Sequence, residues 1–179
     1  MANAVVQARY YESEGTTGAS AEGGLKFNRE AGLTATAAPI PIPTSTGTNF
    51  SWRKPLAIHV TSASSPAQAI TNRTIALSGS TLTGLKVWVD PESTFTAGAG
   101  GNLPAAGATD DDDPGGAYSE VTTTPTSYHA GSVSSGSTGR NGDFATVVLG
   151  VGSNYAGTSG TAVDIGSSAR SLVLAYDES

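Results

Sequence analysis

The chain contains no cysteine. That excludes disulfide staples and thiolate metal sites, and removes cysteine usage as a guide to compartment. Charge is sparse: 13% of the 179 residues are Asp, Glu, Lys or Arg, well under the roughly 25% of an average globular chain. Aromatic residues make up only 7%, which counts against a carbohydrate-cleaving cleft built on paired carboxylates. No apolar run approaches the roughly 20 residues of a membrane span, so no membrane partner is expected. The opening MANAVVQARYY has neither a basic n-region nor a long apolar stretch, so no secretory leader is expected there. No segment sustains a 3.6-residue period, and almost no helix is expected.

What is present is turn chemistry. Gly 23 and Pro 9, with abundant Ser and Thr, argue for many turns between short extended segments. The length suits one domain with appendages and leaves room for a real core. The first ninety residues carry seven Lys/Arg against five Asp/Glu (net +2), whereas the rest carry two against ten (net −8). An acidic second half disfavours nucleic acid as a partner and suits water or a basic protein surface.

The chain is organised around Asn49–Val60 (NFSWRKPLAIHV). Leu56, Ile58 and Val60 share one face of an extended segment, with Ala57 and His59 on the other. Pro55 lacks a backbone donor, so a strand starts there or lies at an edge. Phe50 and Trp52 alternate with Ser51 just before it. Further strands are expected at Ala4–Tyr11, Thr71–Ser78 (Ile75 and Leu77 inward), Leu85–Asp90, Phe144–Val151 and Leu172–Tyr176, with short ones at Val121–Thr124 and Ser127–His129. Phe144–Val151 is apolar on both faces and reads as central. Asn141-Gly142 reads as a tight turn launching it. The expected fold is all-β: an antiparallel β-sandwich or barrel-like domain with an extended N-terminal arm and long Gly/Ser/Thr-rich loops. Residues 1–48 form the strand and arm, residues 49–179 the sandwich, with a long excursion over 91–140.

Within the arm, Pro39-Ile40-Pro41-Ile42-Pro43 fixes φ and removes donors, favouring a stiff extension of about 3 Å per residue. Two readings stand: a contact arm displaying its Ile side chains, or a rigid loop lying on its own domain. The candidate subunit contacts are Leu25, Phe27, Ile40, Ile42, Phe50, Trp52 and Trp88. Trp88 falls on the outer face of Leu85–Asp90, where a loop or a partner must cover it.

Chemical signatures are weak. Asp110, Asp111, Asp112 and Asp113 could hold Ca²⁺, but their contiguous spacing is that of a solvated loop, not of an alternating ion-wrapping loop. His59 and His129 have no His-x-His companion, and a zinc site is not expected. No G-x-S-x-G elbow is present. Gly98–Leu103 lacks the third Gly of a dinucleotide fingerprint and follows no βα unit. Asn49-Phe50-Ser51 and Asn72-Arg73-Thr74 match the glycosylation pattern by chance. No catalytic residue, resident metal or cofactor is expected.

The segments QARYYESEG, PIPIPTSTGTNFSWRK and LVLAYDES resemble small structural proteins of tailed bacteriophage virions. The resemblance implies a non-enzymatic capsid decoration, cement, neck or tail accessory subunit. It would bind other virion proteins, form a homo-oligomer, be assembled in the host cytoplasm and reside in the virion. The alternative is a receptor- or glycan-binding β module at a tail or fibre tip, with a shallow aromatic site around Trp88, Tyr118 or Tyr128.

Overall fold

The computed structural model describes residues 2–13, 17–22, 27, 40–79, 83–95, 118–155, 162–163 and 171–179. Every regular element among them is a β-strand. In chain order these are β1 (Val5–Tyr10), β2 (Ala19–Ser20), β3 (Ile40–Pro41), β4 (Thr48–Phe50), β5 (Lys54–Ser62), β6 (Ala69–Ser78) and β7 (Leu85–Glu92). They continue with β8 (Ser119–Val121), β9 (Thr126–His129), β10 (Val133–Ser134), β11 (Gly139–Gly152), β12 (Ala162–Val163) and β13 (Ser171–Glu178).

A seven-stranded sheet runs β2-β1-β5-β11-β7-β8, with β4 also on β11. A four-stranded sheet runs β10-β6-β13, with β9 also on β6, and β12 pairs with β3. All pairings are antiparallel. The two larger sheets pack face to face as a sandwich, the stable way to bury the apolar side of each. Leu56 of β5, Val87 and Val89 of β7, and Val147, Leu149 and Val151 of β11 meet Ile75 of β6 and Tyr128 of β9 in the main core. β11 lies between β5 and β7 and is buried from Phe144 to Val151, as a run apolar on both faces requires.

β1 pairs with β5 along its length, and Tyr10 belongs to the core. Two expectations are corrected. Ile40 and Ile42 are not displayed outward; they are 0% and 3% exposed within the main core. Alternating prolines keep the segment extended, so both Ile side chains fall on one face, and that face turns inward. Asn141-Gly142 is not a hairpin turn but lies inside β11, where the register against β5 shifts between Asn141 and Ala145. Gly142 supplies the positive φ (82°) of that irregularity.

A second bulge explains Asn72. From Ala175↔Thr74 to Asp177↔Thr71, β13 advances two residues while β6 advances three. Asn72, at φ 49°, is the extra residue. Asn tolerates that left-handed conformation better than most residues. Its amide donates to Asp177 Oδ2 at 2.7 Å.

Candidate functional site

Trp88 points out of the large sheet from β7 and is half-buried. The edge of Phe50 meets its ring at 5.6 Å between centroids and 63° between planes. Directly beneath is Gly150 of β11. A Cβ there would sit 2.5 Å from Trp88 Cζ3 and 2.8 Å from Thr48 Cγ2, so glycine is what lets the indole lie on the strand. The neighbouring segment turns at Ser51, which is fully buried. Its Oγ accepts from Leu149 N at 2.9 Å and donates to Trp52 O at 3.0 Å. That swap of ladder for hydroxyl presents Trp52, half-buried, two residues beyond Phe50. Lys86 and Glu120 flank Trp88 with an exposed ion pair of 2.9 Å, worth little energetically. Arg53 lies over the Tyr118 ring at 5.9 Å. Burial pushes the Asp90 carboxyl upward, an effect the Arg53 charge opposes.

The remaining contact candidates divide. Phe27 packs against the main core, as do Ile40 and Ile42. Leu25 and the four aspartates at 110–113 lie outside the described residues. Among these candidates, Trp52 and Trp88 are partly exposed, and Phe50, 9% exposed, is buried against Trp88 and backs it. Of the aromatic trio considered for a shallow sugar site, Tyr128 is 4% exposed and in the core, which removes it from any surface site.

Two polar clusters lie elsewhere. His59 stands on the outer face of β5, with Nδ1 3.3 Å from the Tyr11 hydroxyl. Burial, and secondarily the Arg9 charge, lowers its pKa, so the neutral ring can accept from the phenol. Burial raises the Tyr11 pKa, opposed by Arg9 and Arg140. Arg140 stacks on Phe144 at 4.3 Å.

The second cluster joins the two sheets. Arg73, 1% exposed, reaches from β6 to donate to Gly131 O at 3.1 Å and lies 3.9 Å from Asp143 Oδ2. Its Nε and Nη1 have no hydrogen-bond partner. His129 Nδ1 is 3.2 Å from the same carboxylate oxygen, and its Nε2 is 3.3 Å from Phe144 O. A nucleophilic triad would need a hydroxyl at Nε2; a backbone carbonyl holds that position instead. The sequence held a sign of Arg73: it shares the inward face of β6 with Ile75 and Leu77, two and four residues on. Among the described residues no group of three or more His, Asp or Glu is arranged to hold a metal ion.

The asparagines of the two glycosylation patterns are engaged internally. Asn49 Nδ2 donates to Pro41 O at 2.8 Å, and Asn72 bonds Asp177.

Fold and site thus define the class as an all-β sandwich with a half-exposed aromatic ridge on the outer face of its larger sheet. No family model, no curated protein and no solved structure matches the chain.

Proposed function

We propose that this protein is a non-enzymatic structural subunit of a tailed bacteriophage virion, a decoration or neck/tail accessory component that acts by binding neighbouring virion proteins. The observation that carries the reading is the Trp88–Phe50 pair with Trp52 beside it. Indoles held on a rigid sheet and partly open to water, Trp88 backed by the buried Phe50, are what protein interfaces use as anchors. The chemistry-bearing groups support it from the other side. His59 Nδ1, both ring nitrogens of His129 and Arg73 Nη2 are engaged by the protein's own phenol, carbonyls and carboxylate. The resemblance of the QARYYESEG, PIPIPTSTGTNFSWRK and LVLAYDES segments supplies the virion context.

Quantitative mass spectrometry of purified particles tests the proposal. The chain is expected in stoichiometric amount. A Trp88→Glu variant that keeps its far-UV circular dichroism is expected to lose most of its occupancy. Full occupancy with Trp88→Glu would overturn the role of the ridge. Absence of the wild-type chain from particles would overturn the virion assignment, and binding of the isolated protein to a glycan array would favour the receptor-binding reading.

A further inference from the structure

β13 forms one side of the four-stranded sheet, and among the described residues only β6 pairs with it. It is eight residues long, whereas β10 at the opposite end of its own sheet path and β2 and β8 at the ends of the larger one have two or three. Long flat edges invite further strands, and proteins blunt them with Pro, Lys, outward charge or a bulge. β13 has neither Pro nor Lys, and no charge from Ser171 to Tyr176. Its two carboxylates are engaged within the chain, Asp177 by Asn72 and Glu178 by Ala4 N and Ser135. The nearby bulge belongs to β6, because Asn72 is the extra residue, so β13 stays regular.

A second observation points the same way. Of the inward side chains of β6, Ile70, Arg73 and Ile75 are at most 1% exposed, and only Leu77 near its end is partly buried. Those of β13, Leu172, Leu174 and Tyr176, are only partly buried. The inward face is therefore least buried beside the strand whose second edge has no pairing among the described residues. Val173 on the outer face is 43% exposed, one of two exposed large hydrophobics among the described residues.

We infer that the free edge of β13 pairs antiparallel with β13 of a second copy, about a two-fold axis at Leu174. A continuous sheet must set inward residues opposite inward ones. With the axis at Leu174 that condition places Leu174 opposite Leu174, Leu172 opposite Tyr176, Val173 opposite Ala175 and Ser171 opposite Asp177. Centring on Ala175 instead sets Leu172 against Glu178 and Val173 against Asp177. Centring on Val173 leaves Tyr176 with no opposite residue in the strand. The pattern is thus self-complementary in one register, and the isologous contact closes as a dimer. An edge of this length buries less than the roughly 800 Å² per partner of a standard interface, so association depends on concentration. The inference goes beyond the proposed function and does not rest on it.

Because the chain has no cysteine, single substitutions from Leu172→Cys to Tyr176→Cys read the register directly. Mild oxidation of the full chain is expected to give disulfide-linked dimer most readily for Leu174→Cys, on the order of tenfold faster than for its neighbours, since only residues meeting at the axis reach bonding distance. Sedimentation equilibrium of the cysteine-free chain is expected to show a monomer–dimer equilibrium. Val173→Lys, which leaves the core untouched, should weaken it by about tenfold or more. Monomer at every concentration, a cross-linking maximum at another position, or a dimer indifferent to Val173→Lys with a flat cysteine profile would each overturn the pairing. None of these would touch the virion assignment, which the particle measurement decides.

Discussion

At the residue scale, Arg73 sets the terms. A buried guanidinium with two unsatisfied nitrogens is costly, and what offsets it is Asp143, half-open to water, with the Gly131 carbonyl. Removing Asp143 strands a buried cation, whereas removing Arg73 leaves a carboxylate that still reaches water, so the first is the worse loss. Asp143→Asn is therefore expected to cost about 1–3 kcal/mol in urea denaturation, and Arg73→Met less than about 1.5 kcal/mol. The reverse order would show that Arg73 is held by something other than Asp143. Tyr128 gives the alkaline counterpart. Burial, opposed by the Arg73 charge, pushes its phenol up to about 12. Between the ordinary phenol value near 10 and about 12, the unfolded chain has lost this proton while the fold retains it. Stability from this group is complete below pH 10 and falls as pH rises through that window. The loss amounts to roughly 2–3 kcal/mol at most. Tyr128→Phe should flatten the decline measured by denaturation between pH 9 and 12. Part of the slope should remain, because burial also raises Tyr11 and Tyr176.

At the element scale, the Pro-alternating segment and the Trp88 strand show what a sequence displays and what it hides. Alternation located β5 and β7, and short apolar runs located β11 and β13, because both patterns are local properties. It also placed Trp88 outward, His59 opposite Ile58 and Val60, and Ile75 and Leu77 inward. Whether Ile40 and Ile42 face solvent or core is not local: two prolines fix an extended backbone without saying which side meets the sheet. Phe50 on Trp88 and Arg73 on Asp143 hid for the same reason, since each joins elements far apart in the chain. Both elements yield measurements. Ile40→Ala is expected to cost about 2–5 kcal/mol, the range for large-to-small changes in a closed core. A surface arm would lose under about 0.5 kcal/mol. Gly150→Ala must push Trp88 or Thr48 aside, costing about 1–3 kcal/mol. In a Trp52→Phe background, where Trp88 is the sole indole, its emission should shift to the red. Unchanged emission would mean that the indole does not lie on Gly150.

At the scale of the whole molecule, the two ends of the described chain are joined. Ala4 N donates to both Glu178 oxygens at 3.2 Å, and Ser135 Oγ donates to Glu178 Oε1 at 2.8 Å. Ser64 Oγ lies 2.7 Å from Ser135 Oγ and accepts from Gln68 N at 3.1 Å. Ser179 and Ala69 exchange both backbone bonds at 2.9 and 3.0 Å. One carboxylate at the end of β13 thus ties the start of β1, in the large sheet, to the small sheet, so the sandwich is closed at this end by polar atoms. Residues 1–48 contribute β1, Ile40 and Ile42 to the same closed body, and their deletion should leave a chain without cooperative unfolding, not a trimmed domain. Glu178→Gln is the gentler probe. The amide keeps one acceptor oxygen but gives up the charge that strengthens these bonds. The expected loss is about 1–2 kcal/mol, with faster hydrogen exchange concentrated at Ala4–Val6 and Ser135 and none at the Trp88 face. Exchange that quickens uniformly would mean that Glu178 supports overall stability without specifically joining the two ends. Exchange that does not change would mean that β1 is held by its pairing with β5 alone.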